Sequence, residues 1–421
     1  MENYVVEGGN RLEGEVTISG AKNAALPIIA ATLLNPEKIE IDNCPNIHDV
    51  FIMIDILNSL GCSVHMENNK MMVDTSGLNK YEIPENLMRE MRSSVILAGA
   101  MLGRMKKCVF TYPGGCEIGA RPINMHLDGF KQLGVSIVEE SGRITCECGK
   151  LIGADITLDF PSVGATENIM LASVFADGTT YVRNVAREPE IKDLQDFLNG
   201  MGANIVGAGS NTIIIKGVKA LHETVHNVIP DRIEAGTYLC LAAATQGDVI
   251  IKNVIPDHIN SVLHKLKQIG SRLDVKKNEI AIRAPKLVLP TNIKTMPYPG
   301  FPTDMQSQFV SLLSIASGTS IVVETIFENR FKYVNELIRM GANITIEGRT
   351  AIIQGVDKLN GAIIETKDLR GGAALVIASL AAQGESKISG VNYLERGYEN
   401  FVQKLQLLGA KIIKTWYTCK M

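Results

Sequence analysis

The run Pro113-Gly-Gly-Cys-Glu-Ile-Gly-Ala-Arg-Pro122 places a thiol and an arginine on a glycine-rich stretch. Its glycines allow backbone angles closed to other residues, so the run can form a loop that approaches a ligand closely or closes over it. The guanidinium of Arg121 suits a carboxylate or phosphate, and its charge would lower the pKa of a nearby thiol. Most free cysteines only fill cores, however, and most glycine pairs only form turns. Cys116 is therefore a candidate reactive cysteine whose place in the chain decides its interpretation.

Charged residues stand at the starts of several Ala-rich segments whose apolar character nearly all round is typical of buried helices. Such helices are predicted over residues 24–34, 94–102, 235–245 and 373–382. The cations at these helix starts are Lys22, Arg92, Arg232 and Arg370. They oppose the positive end of the helix dipole, whereas the backbone N–H groups there attract anions, so the pattern predicts bound anions. Ser162, Asp231 and Asp304 hold matching positions and are explained by ordinary helix capping.

A second set of polar residues follows the strand after each buried segment. It comprises Cys116 with Arg121, Arg187 with Glu188, Asp257 with His258, Asn329 with Arg330, and Glu395 with Arg396. Recurrence at one structural position suggests that several of them face a common cleft. Two unit charges 4 Å apart interact by about 4 kcal/mol at an effective dielectric constant of 20. Four or five cations gathered without anions would repel strongly, so the sequence predicts a ligand with several negative charges, such as phosphates and a carboxylate.

The elements that must position these residues repeat six times. Glycines at 61, 134, 202, 270, 341 and 409 each follow an amphipathic helical pattern, and they recur every 68 to 73 residues. Such regularity indicates one supersecondary unit used six times, with each glycine ending a helix. Each unit is expected to contain two alternating strands, a buried helix, a third strand, a loop and a surface helix.

The sixth unit lacks a strand that the beginning of the chain can supply. After Gly409 one strand-like segment remains, while Val5-Val-Glu-Gly8 aligns with Ile352-Ile-Gln-Gly355. We therefore expect residues 1–20 to complete the sixth unit. Six units divide into two α/β domains of three, one formed by residues 21–228 and the other by residues 1–20 with 229–421. A cleft between two such domains is a usual place for a ligand.

Composition narrows the class of protein. The 421 residues are 46% hydrophobic and 21% charged with a formal net charge of −3, which is typical of globular domains and gives no basic field for nucleic acid. The apolar runs fall short of the roughly 20 residues that cross a bilayer. No secretory signal precedes them, so we expect a cytoplasmic protein without membrane attachment. Its eight cysteines are then expected to be thiols.

Three motif matches are weak. His222-Glu-Thr-Val-His226 fits the H-E-x-x-H zinc pattern, which requires a helix, but the repeat places it in a strand or loop. Gly207-Ala-Gly209 begins a dinucleotide-binding pattern that fails at Thr212. Cys146 and Cys148 have no second pair at zinc spacing. We therefore expect neither a metal nor a nucleotide cofactor.

Eight motifs, spread from one end of the chain to the other, point to one family. They are the Cys116 loop, Gly20-Ala-Lys-Asn23, Ser162-Val-Gly-Ala-Thr166, Ala186-Arg-Glu-Pro-Glu190, Pro230-Asp-Arg-Ile-Glu234, Phe301-Pro-Thr-Asp-Met-Gln306, Phe327-Glu-Asn-Arg330 and Glu395-Arg-Gly-Tyr398. Together they closely resemble those of the bacterial UDP-N-acetylglucosamine enolpyruvyl transferases. The resemblance implies two inside-out α/β barrel domains of three units each. It also implies transfer of the enolpyruvyl group of phosphoenolpyruvate to the 3′-hydroxyl of UDP-N-acetylglucosamine, with release of phosphate, as the first committed step of peptidoglycan synthesis.

The resemblance implies roles for individual residues. Cys116 would protonate the enol methylene carbon and could form a covalent adduct with phosphoenolpyruvate, and Asp304 would take the proton of the sugar hydroxyl. The ligands of phosphoenolpyruvate would be Lys22, Arg121 and Arg396, with Arg330 and Arg370 nearby. The ligands of the UDP-sugar would be Asn23, Arg92, Arg121, Pro122, Ile123, Asn124, Met125, Ser162, Val163 and Ile326. Lys22 and Arg396 would join Cys116 and Asp304 as catalytic residues, and no metal or cofactor is implied.

Three alternatives remain beside this interpretation. Enolpyruvylshikimate-phosphate synthases share the six-unit architecture but lack the Cys116 loop, and RNA 3′-phosphate cyclases need a nucleotide site and a nucleophilic histidine that this sequence does not place. A non-catalytic paralogue would bind the UDP-sugar without turnover. The chain also departs from the family pattern at Phe160, where members often carry a basic residue, and at Asn124, where they often carry an acid. The sequence leaves the oligomeric state open.

Overall fold

The computed structural model describes residues 2–114, 119 and 122–416, and within them the chain forms 23 strands and 13 α-helices. The strands are β1 (Glu2–Glu7), β2 (Glu13–Thr17), β3 (Lys38–Asp42), β4 (Ser63–Glu67), β5 (Lys70–Asp74), β6 (Lys107–Thr111), β7 (Ser136–Glu140), β8 (Arg143–Glu147), β9 (Asp155–Thr157), β10 (Thr179–Arg183), β11 (Asn204–Val206), β12 (Thr212–Lys216), β13 (Val225–Asn227), β14 (Asp248–Lys252), β15 (Arg272–Val275), β16 (Glu279–Arg283), β17 (Ile293–Lys294), β18 (Thr319–Val323), β19 (Asn343–Glu347), β20 (Thr350–Gln354), β21 (Ile363–Glu365), β22 (Glu385–Ser389) and β23 (Lys411–Trp416). The helices are α1 (Lys22–Ala31), α2 (His48–Ser59), α3 (Glu85–Glu90), α4 (Leu97–Met105), α5 (Asn124–Gln132), α6 (Val163–Ser173), α7 (Pro189–Gly200), α8 (Arg232–Ala244), α9 (Asn260–Gln268), α10 (Gln306–Leu313), α11 (Val334–Arg339), α12 (Leu369–Ala381) and α13 (Phe401–Leu407). Five 3₁₀ turns in the same residues span Thr32–Leu34, Arg92–Ile96, Pro256–Ile259, Thr303–Met305 and Val391–Arg396.

The chain divides into two compact units. The Lys22 unit, formed by residues 20–114 and 122–229, contains the sheets β13-β3-β5-β4, β6-β8-β7 and β11-β12-β10-β9. The Asp304 unit, formed by residues 2–19 and 230–416, contains the sheets β15-β16-β14-β2, β17-β18-β20-β19 and β21-β22-β1-β23. Each unit has its own hydrophobic core.

Three helices form the centre of each core. They are α1, α4 and α6 in the Lys22 unit and α8, α10 and α12 in the Asp304 unit. Nearly every side chain of these helices is buried. The helices α1 and α12 are apolar almost all round and have no face for water, whereas α6, α8 and α10 also bury polar side chains such as Glu167, Glu234 and Gln308. The buried helices predicted over residues 24–34, 235–245 and 373–382 are thus confirmed, while the one predicted over 94–102 begins as the 3₁₀ turn Arg92–Ile96.

The six predicted helix-ending glycines all have left-handed backbone angles. Their φ values are 103° at Gly61, 89° at Gly134, 98° at Gly202, 99° at Gly270, 96° at Gly341 and 88° at Gly409. Each follows a surface helix, namely α2, α5, α7, α9, α11 or α13. A side chain with a Cβ is strained at such angles, which explains why glycine recurs at this spacing.

The repeat contains a short strand that the sequence pattern did not reveal. It precedes the buried helix and pairs in parallel with the strand after that helix, as β9 does with β10, β17 with β18 and β21 with β22. Two copies are exchanged between the units: β2 precedes α1 but pairs with β14, and β13 precedes α8 but pairs with β3. The expectation that all of residues 1–20 belong to the sixth repeat is therefore wrong for β2. By contrast, β1 lies between β22 and β23, at the predicted place.

A glycine after the second strand of the repeat lets the chain pass close to the end of a buried helix. A Cβ on Gly355 or on Gly217 would lie 1.7 Å from the carbonyl oxygen that follows α10 or α6, and one on Gly8 would lie 2.2 Å from the oxygen that follows α12. Real Cβ atoms do not approach backbone this closely. The shared contact also supports the alignment of Gly8 with Gly355.

We expect Gly355→Ala to lower the free energy of unfolding of the Asp304 unit by about 1–3 kcal/mol, since the new methyl group meets fixed backbone. Gly149→Ala is the matched control, because a Cβ there meets nothing within 4 Å. It should change stability by no more than about 0.5 kcal/mol. Urea unfolding curves of both variants measure the difference. A wild-type midpoint for Gly355→Ala would contradict the proposed packing.

Candidate active site

Asp304 lies among buried arginines in the Asp304 unit. Arg330 Nη2 donates a hydrogen bond to Asp304 Oδ1 at 2.8 Å, and Arg370 Nη2 donates one to Asp304 Oδ2 at 3.2 Å. The arginine side chains are 4% and 5% exposed, and that of Asp304 is 27% exposed. Asp304 comes from the 3₁₀ turn before α10, Arg330 from the loop before α11, and Arg370 from the first turn of α12. One carboxylate is thus shared by two guanidinium groups, so these three side chains together carry a net positive charge.

This arrangement sets the proton affinity of Asp304. Burial alone would raise the pKa of Asp304, but the charges of Arg370, Arg330 and Arg232 together hold that pKa well below its usual range. The carboxylate is therefore ionised at neutral pH. The ion pairs of Asp304 stabilise the folded state fully at pH values above the ordinary pKa of an aspartate. This stabilisation is lost only as the pH falls through the lowered pKa of the folded state. In this state Asp304 is a weak base.

The two arginines have further donors that point to an anion. Arg330 Nε and Arg370 Nη1 are buried and donate no hydrogen bond to any residue that the structure describes. A buried donor without an acceptor costs about 1–3 kcal/mol. Guanidinium groups with spare donors and net positive charge suit a phosphate or a carboxylate.

Helix caps account for part of the polar pattern at the helix starts. Ser162 accepts from Ala165 N at 3.3 Å at the start of α6, and Asp231 caps α8 through two backbone N–H groups, so these two predicted caps are confirmed. Asp368 caps α12 in the same way. The capping prediction is wrong for Asp304, whose side chain binds arginines instead.

Lys22 also has a carboxylate partner. As the first residue of α1, it places its Nζ 2.7 Å from Asp49 Oδ2 in the first turn of α2, and the Asp49 side chain is only 1% exposed. A protein carboxylate thus stands beside Lys22, as one does beside Arg370, where the sequence predicted the anion of a ligand. The partner acids come from other segments of the chain, so the local sequence around each cation does not reveal them.

The remaining predicted residues are divided between the two units. The Lys22 unit holds Asn23 in the first turn of α1, Arg92 at the start of a 3₁₀ turn, Pro122 and Ile123 before α5, Asn124 and Met125 in its first turn, and Ser162 and Val163 at the start of α6. The Asp304 unit holds Ile326 in the loop after β18 and Arg396 at the end of the 3₁₀ turn Val391–Arg396. Cys116 and Arg121 lie outside the described residues.

Sequence reasoning missed Arg232 as a site residue, although it was noted as a helix-start cation. Its guanidinium lies over the Tyr298 ring, 5.6 Å from the centroid, and its charge helps to lower the pKa of Asp304. Its position at the start of α8, matching that of Arg370 in α12, was the available signal.

The prediction that the H-E-x-x-H segment at residues 222–226 is not helical is confirmed. His226 lies on β13, with its Nε2 2.9 Å from Asp193 Oδ1 and its ring against the edge of Phe197. In residues 2–114, 119 and 122–416, no group of three or more His, Cys, Asp or Glu side chains has the geometry of a metal site. None of the helices in the same residues has both the length and the apolar character of a membrane span.

Several known proteins resemble this chain over nearly its whole length. The profile of the family described as "EPSP synthase (3-phosphoshikimate 1-carboxyvinyltransferase)" matches residues 6–405. A UDP-N-acetylglucosamine 1-carboxyvinyltransferase 2 of Caldanaerobacter subterraneus subsp. tengcongensis is 53% identical, over 98% of this chain and 100% of its own. A UDP-N-acetylglucosamine 1-carboxyvinyltransferase 1 of Carboxydothermus hydrogenoformans is 50% identical, over 98% of each chain.

A solved structure gives the fold. The enolpyruvyl transferase NikO from Streptomyces tendae superimposes with a TM-score of 0.88 over 99% of both chains, at 25% identity. The predicted fold class, the α/β fold of the enolpyruvyl transferases, is confirmed.

We expect Asp304→Asn to lower the free energy of unfolding by about 3 kcal/mol at neutral pH, because two buried guanidinium groups lose their shared counter-charge. Inorganic phosphate should restore part of the loss by supplying negative charge at the arginines. The matched control is Asp357→Asn, which alters an exposed carboxylate of the same unit. Thermal unfolding with and without phosphate measures both effects. A variant as stable as the wild type, or one indifferent to phosphate, would show that Asp304 does not neutralise the arginines.

Proposed function

This chain belongs to the UDP-N-acetylglucosamine 1-carboxyvinyltransferase family, and from that premise we propose that it transfers the enolpyruvyl group of phosphoenolpyruvate to the 3′-hydroxyl of UDP-N-acetylglucosamine. Phosphate is released, and the product enters peptidoglycan synthesis. The observation that carries the proposal is Asp304, an ionised carboxylate held by Arg330 and Arg370, which keep spare donors. A base beside an anion site is what addition of an alcohol to a phosphorylated enol requires.

The reaction needs proton transfers in both of its steps. In the addition step the sugar oxygen bonds to C2 of phosphoenolpyruvate, the hydroxyl loses its proton and the CH2 carbon gains one. In the elimination step the C–O bond to phosphate breaks, and the methyl group returns a proton. We assign the role of acid to Cys116 and that of base to Asp304. Lys22, Arg121 and Arg396 would hold phosphoenolpyruvate.

Substrate binding would make Asp304 a better base. The phosphate and carboxylate groups of phosphoenolpyruvate would accept hydrogen bonds from Arg330 and Arg370 and offset their positive charge. Those charges hold down the pKa of Asp304, so partial neutralisation raises that pKa toward its usual range. The carboxylate would then gain proton affinity only when the enol substrate is present.

The Lys22 unit would hold the UDP-sugar. The start of α6, where Ser162 caps and Val163 follows, presents backbone N–H groups of the kind that bind phosphates. The other proposed ligands are Asn23, Arg92, Arg121, Pro122, Ile123, Asn124 and Met125, with Ile326 from the Asp304 unit. We also propose residues 21–228 and residues 1–20 with 229–421 as the two domains.

Phosphate release is the test of the function. Purified protein should release phosphate only when phosphoenolpyruvate and UDP-N-acetylglucosamine are both present, as measured by a coupled assay. Release with shikimate 3-phosphate in place of the UDP-sugar would indicate the sister activity instead. Calorimetric binding of the UDP-sugar without phosphate release would indicate a non-catalytic paralogue.

Cys116→Ser should slow turnover about 10²–10⁴-fold at neutral pH, the contribution typical of a general acid, because a hydroxyl is a far weaker acid than a thiol. The dissociation constant of the UDP-sugar, measured by calorimetry, should stay nearly unchanged. Cys148→Ser is the control, since Cys148 is the partly buried thiol among the described residues. Full activity of Cys116→Ser would exclude the loop thiol as the acid.

Fosfomycin, an epoxide, should alkylate Cys116 and none of the other seven thiols. The thiolate is the reactive form, and burial raises the pKa of Cys62 to about 11 and that of Cys146 to about 12. Peptide mass spectrometry locates the adduct, and Cys116→Ser should carry none. An adduct on Cys148 instead would contradict the assignment.

A further inference from the structure

A second carboxylate, that of Glu324, is connected to Asp304 by hydrogen bonds and is more deeply buried. Glu324 follows β18 and is 1% exposed. Its Oε1 accepts hydrogen bonds from Thr295 Oγ1 at 2.9 Å, Ile326 N at 2.8 Å and Phe327 N at 3.1 Å. Its Oε2 accepts one from Thr303 Oγ1 at 2.9 Å. Four donors from three segments of the chain thus converge on one side chain.

The hydrogen bonds continue from Glu324 to Asp304. Thr303 Oγ1 accepts from Arg330 Nη1 at 3.1 Å, and Arg330 Nη2 donates to Asp304 Oδ1 at 2.8 Å. A threonine hydroxyl has one proton, and Thr303 gives it to Glu324. Its oxygen must therefore act as the acceptor for Arg330. The direction of every bond in the chain is fixed, and the guanidinium is held from both sides.

The same carboxylate fixes the loop that carries Arg330. Accepting from the backbone of Ile326 and Phe327 closes a turn directly after β18, where the loop leaves the sheet. Through Thr303 it also contacts the 3₁₀ turn that carries Asp304. Glu324 therefore joins the two segments whose side chains form the Arg330–Asp304 ion pair.

Comparison of the repeats sets Glu324 apart. In three repeats the residue that follows the strand equivalent to β18 is an asparagine, namely Asn43, Asn184 or Asn253. Each has a left-handed φ, and its side-chain amide donates a hydrogen bond to the carbonyl of the residue just after the short parallel strand. Gly390 holds the place in the sixth repeat. Glu324 likewise bonds to the residue just after the short strand β17, because it accepts a hydrogen bond from Thr295. Unlike the asparagines, it also accepts one from Thr303, which contacts Arg330. In the other repeats this place is held by asparagine, by glycine or, after β6 in the second repeat, by Tyr112.

We propose that Glu324 is a positioning residue for the transfer reaction, which acts through Thr303 to hold the Arg330 guanidinium on Asp304 and to set the turn at Ile326. The inference rests on the proposed function, in which Asp304 accepts the sugar proton and Arg330 lies at the phosphoenolpyruvate site. Burying a carboxylate is costly unless its hydrogen bonds are made, and here both oxygens make them.

The test compares Glu324→Gln with Glu347→Gln, which makes the same change at an exposed carboxylate on β19 of the same sheet. Glu324→Gln should reduce kcat about 100-fold, the loss expected from a small displacement of reacting groups. Asp304 faces Arg370, Arg330 and Arg232, and looser contact with Arg330 raises its pKa. The acid limb of the pH profile should therefore move to higher pH. Glu347→Gln should keep the wild-type rate and profile.

Thr303 variants separate positioning from mere stability. Thr303→Val breaks the same chain one link further and should move the acid limb in the same direction, while Thr303→Ser keeps the hydroxyl and should restore it. The double variant of Glu324→Gln with Thr303→Val should lose less activity than the two single losses combined, because both break one chain. If Glu324→Gln fails to fold, the Thr303 pair carries the same test.

The outcomes distinguish this inference from the function on which it rests. A wild type that releases no phosphate overturns the proposed function and the inference with it. An active wild type with an unmoved acid limb in Glu324→Gln and Thr303→Val, or with fully additive losses in the double variant, overturns the inference alone. A lower melting temperature without a shift of the pH profile means that Glu324 is only structural.

Discussion

The sharing of one carboxylate between two buried arginines is the contact on which the Asp304 unit's site depends. Arg330 and Arg370 could not remain buried as bare cations, since the desolvation of each would cost several kcal/mol. Asp304 makes their burial possible and in exchange loses proton affinity. The same contact therefore prepares an anion site and restrains a base, so that the two properties change together when an anion arrives.

Local signals in the sequence were enough to predict the repeated scaffold. Glycine at Gly61 or Gly341 marks a left-handed helix end whatever surrounds it, and a segment apolar on all sides, such as α12, can only be buried. Most of the short parallel strands were not predictable, because segments of two or three residues, such as β9, β17 and β21, are too short to show alternation. The exchange of β2 and β13 was also hidden, since either pairing satisfies the same local pattern.

The partners of the charged residues depend on contacts between segments distant in the chain. Lys22 and Asp49 are separated by α1 and β3. Asp304 and Arg370 are separated by the helices α10 and α11 and the strands β18 to β21. No spacing rule links them. Glu324 was missed although a signal existed: aligning the six repeats shows asparagine or glycine at its position in four of them. A departure from the repeat at one position was a better guide than the charge itself.

The pairing of β1 with β22 and β23 has a consequence for how the protein is made. Residues 2–7 are synthesised long before their partners at 385–389 and 411–416. At about 5–20 residues per second, the wait is roughly 20–80 seconds. Tyr4 and Val6, which are buried in the folded unit, lack the partner strands β22 and β23 during this time. The Lys22 unit, whose strands are continuous in the chain from β3 to β13, can fold while the Asp304 unit is still being translated. The nascent chain carries β1 as an unpaired strand until β22 and β23 have been made.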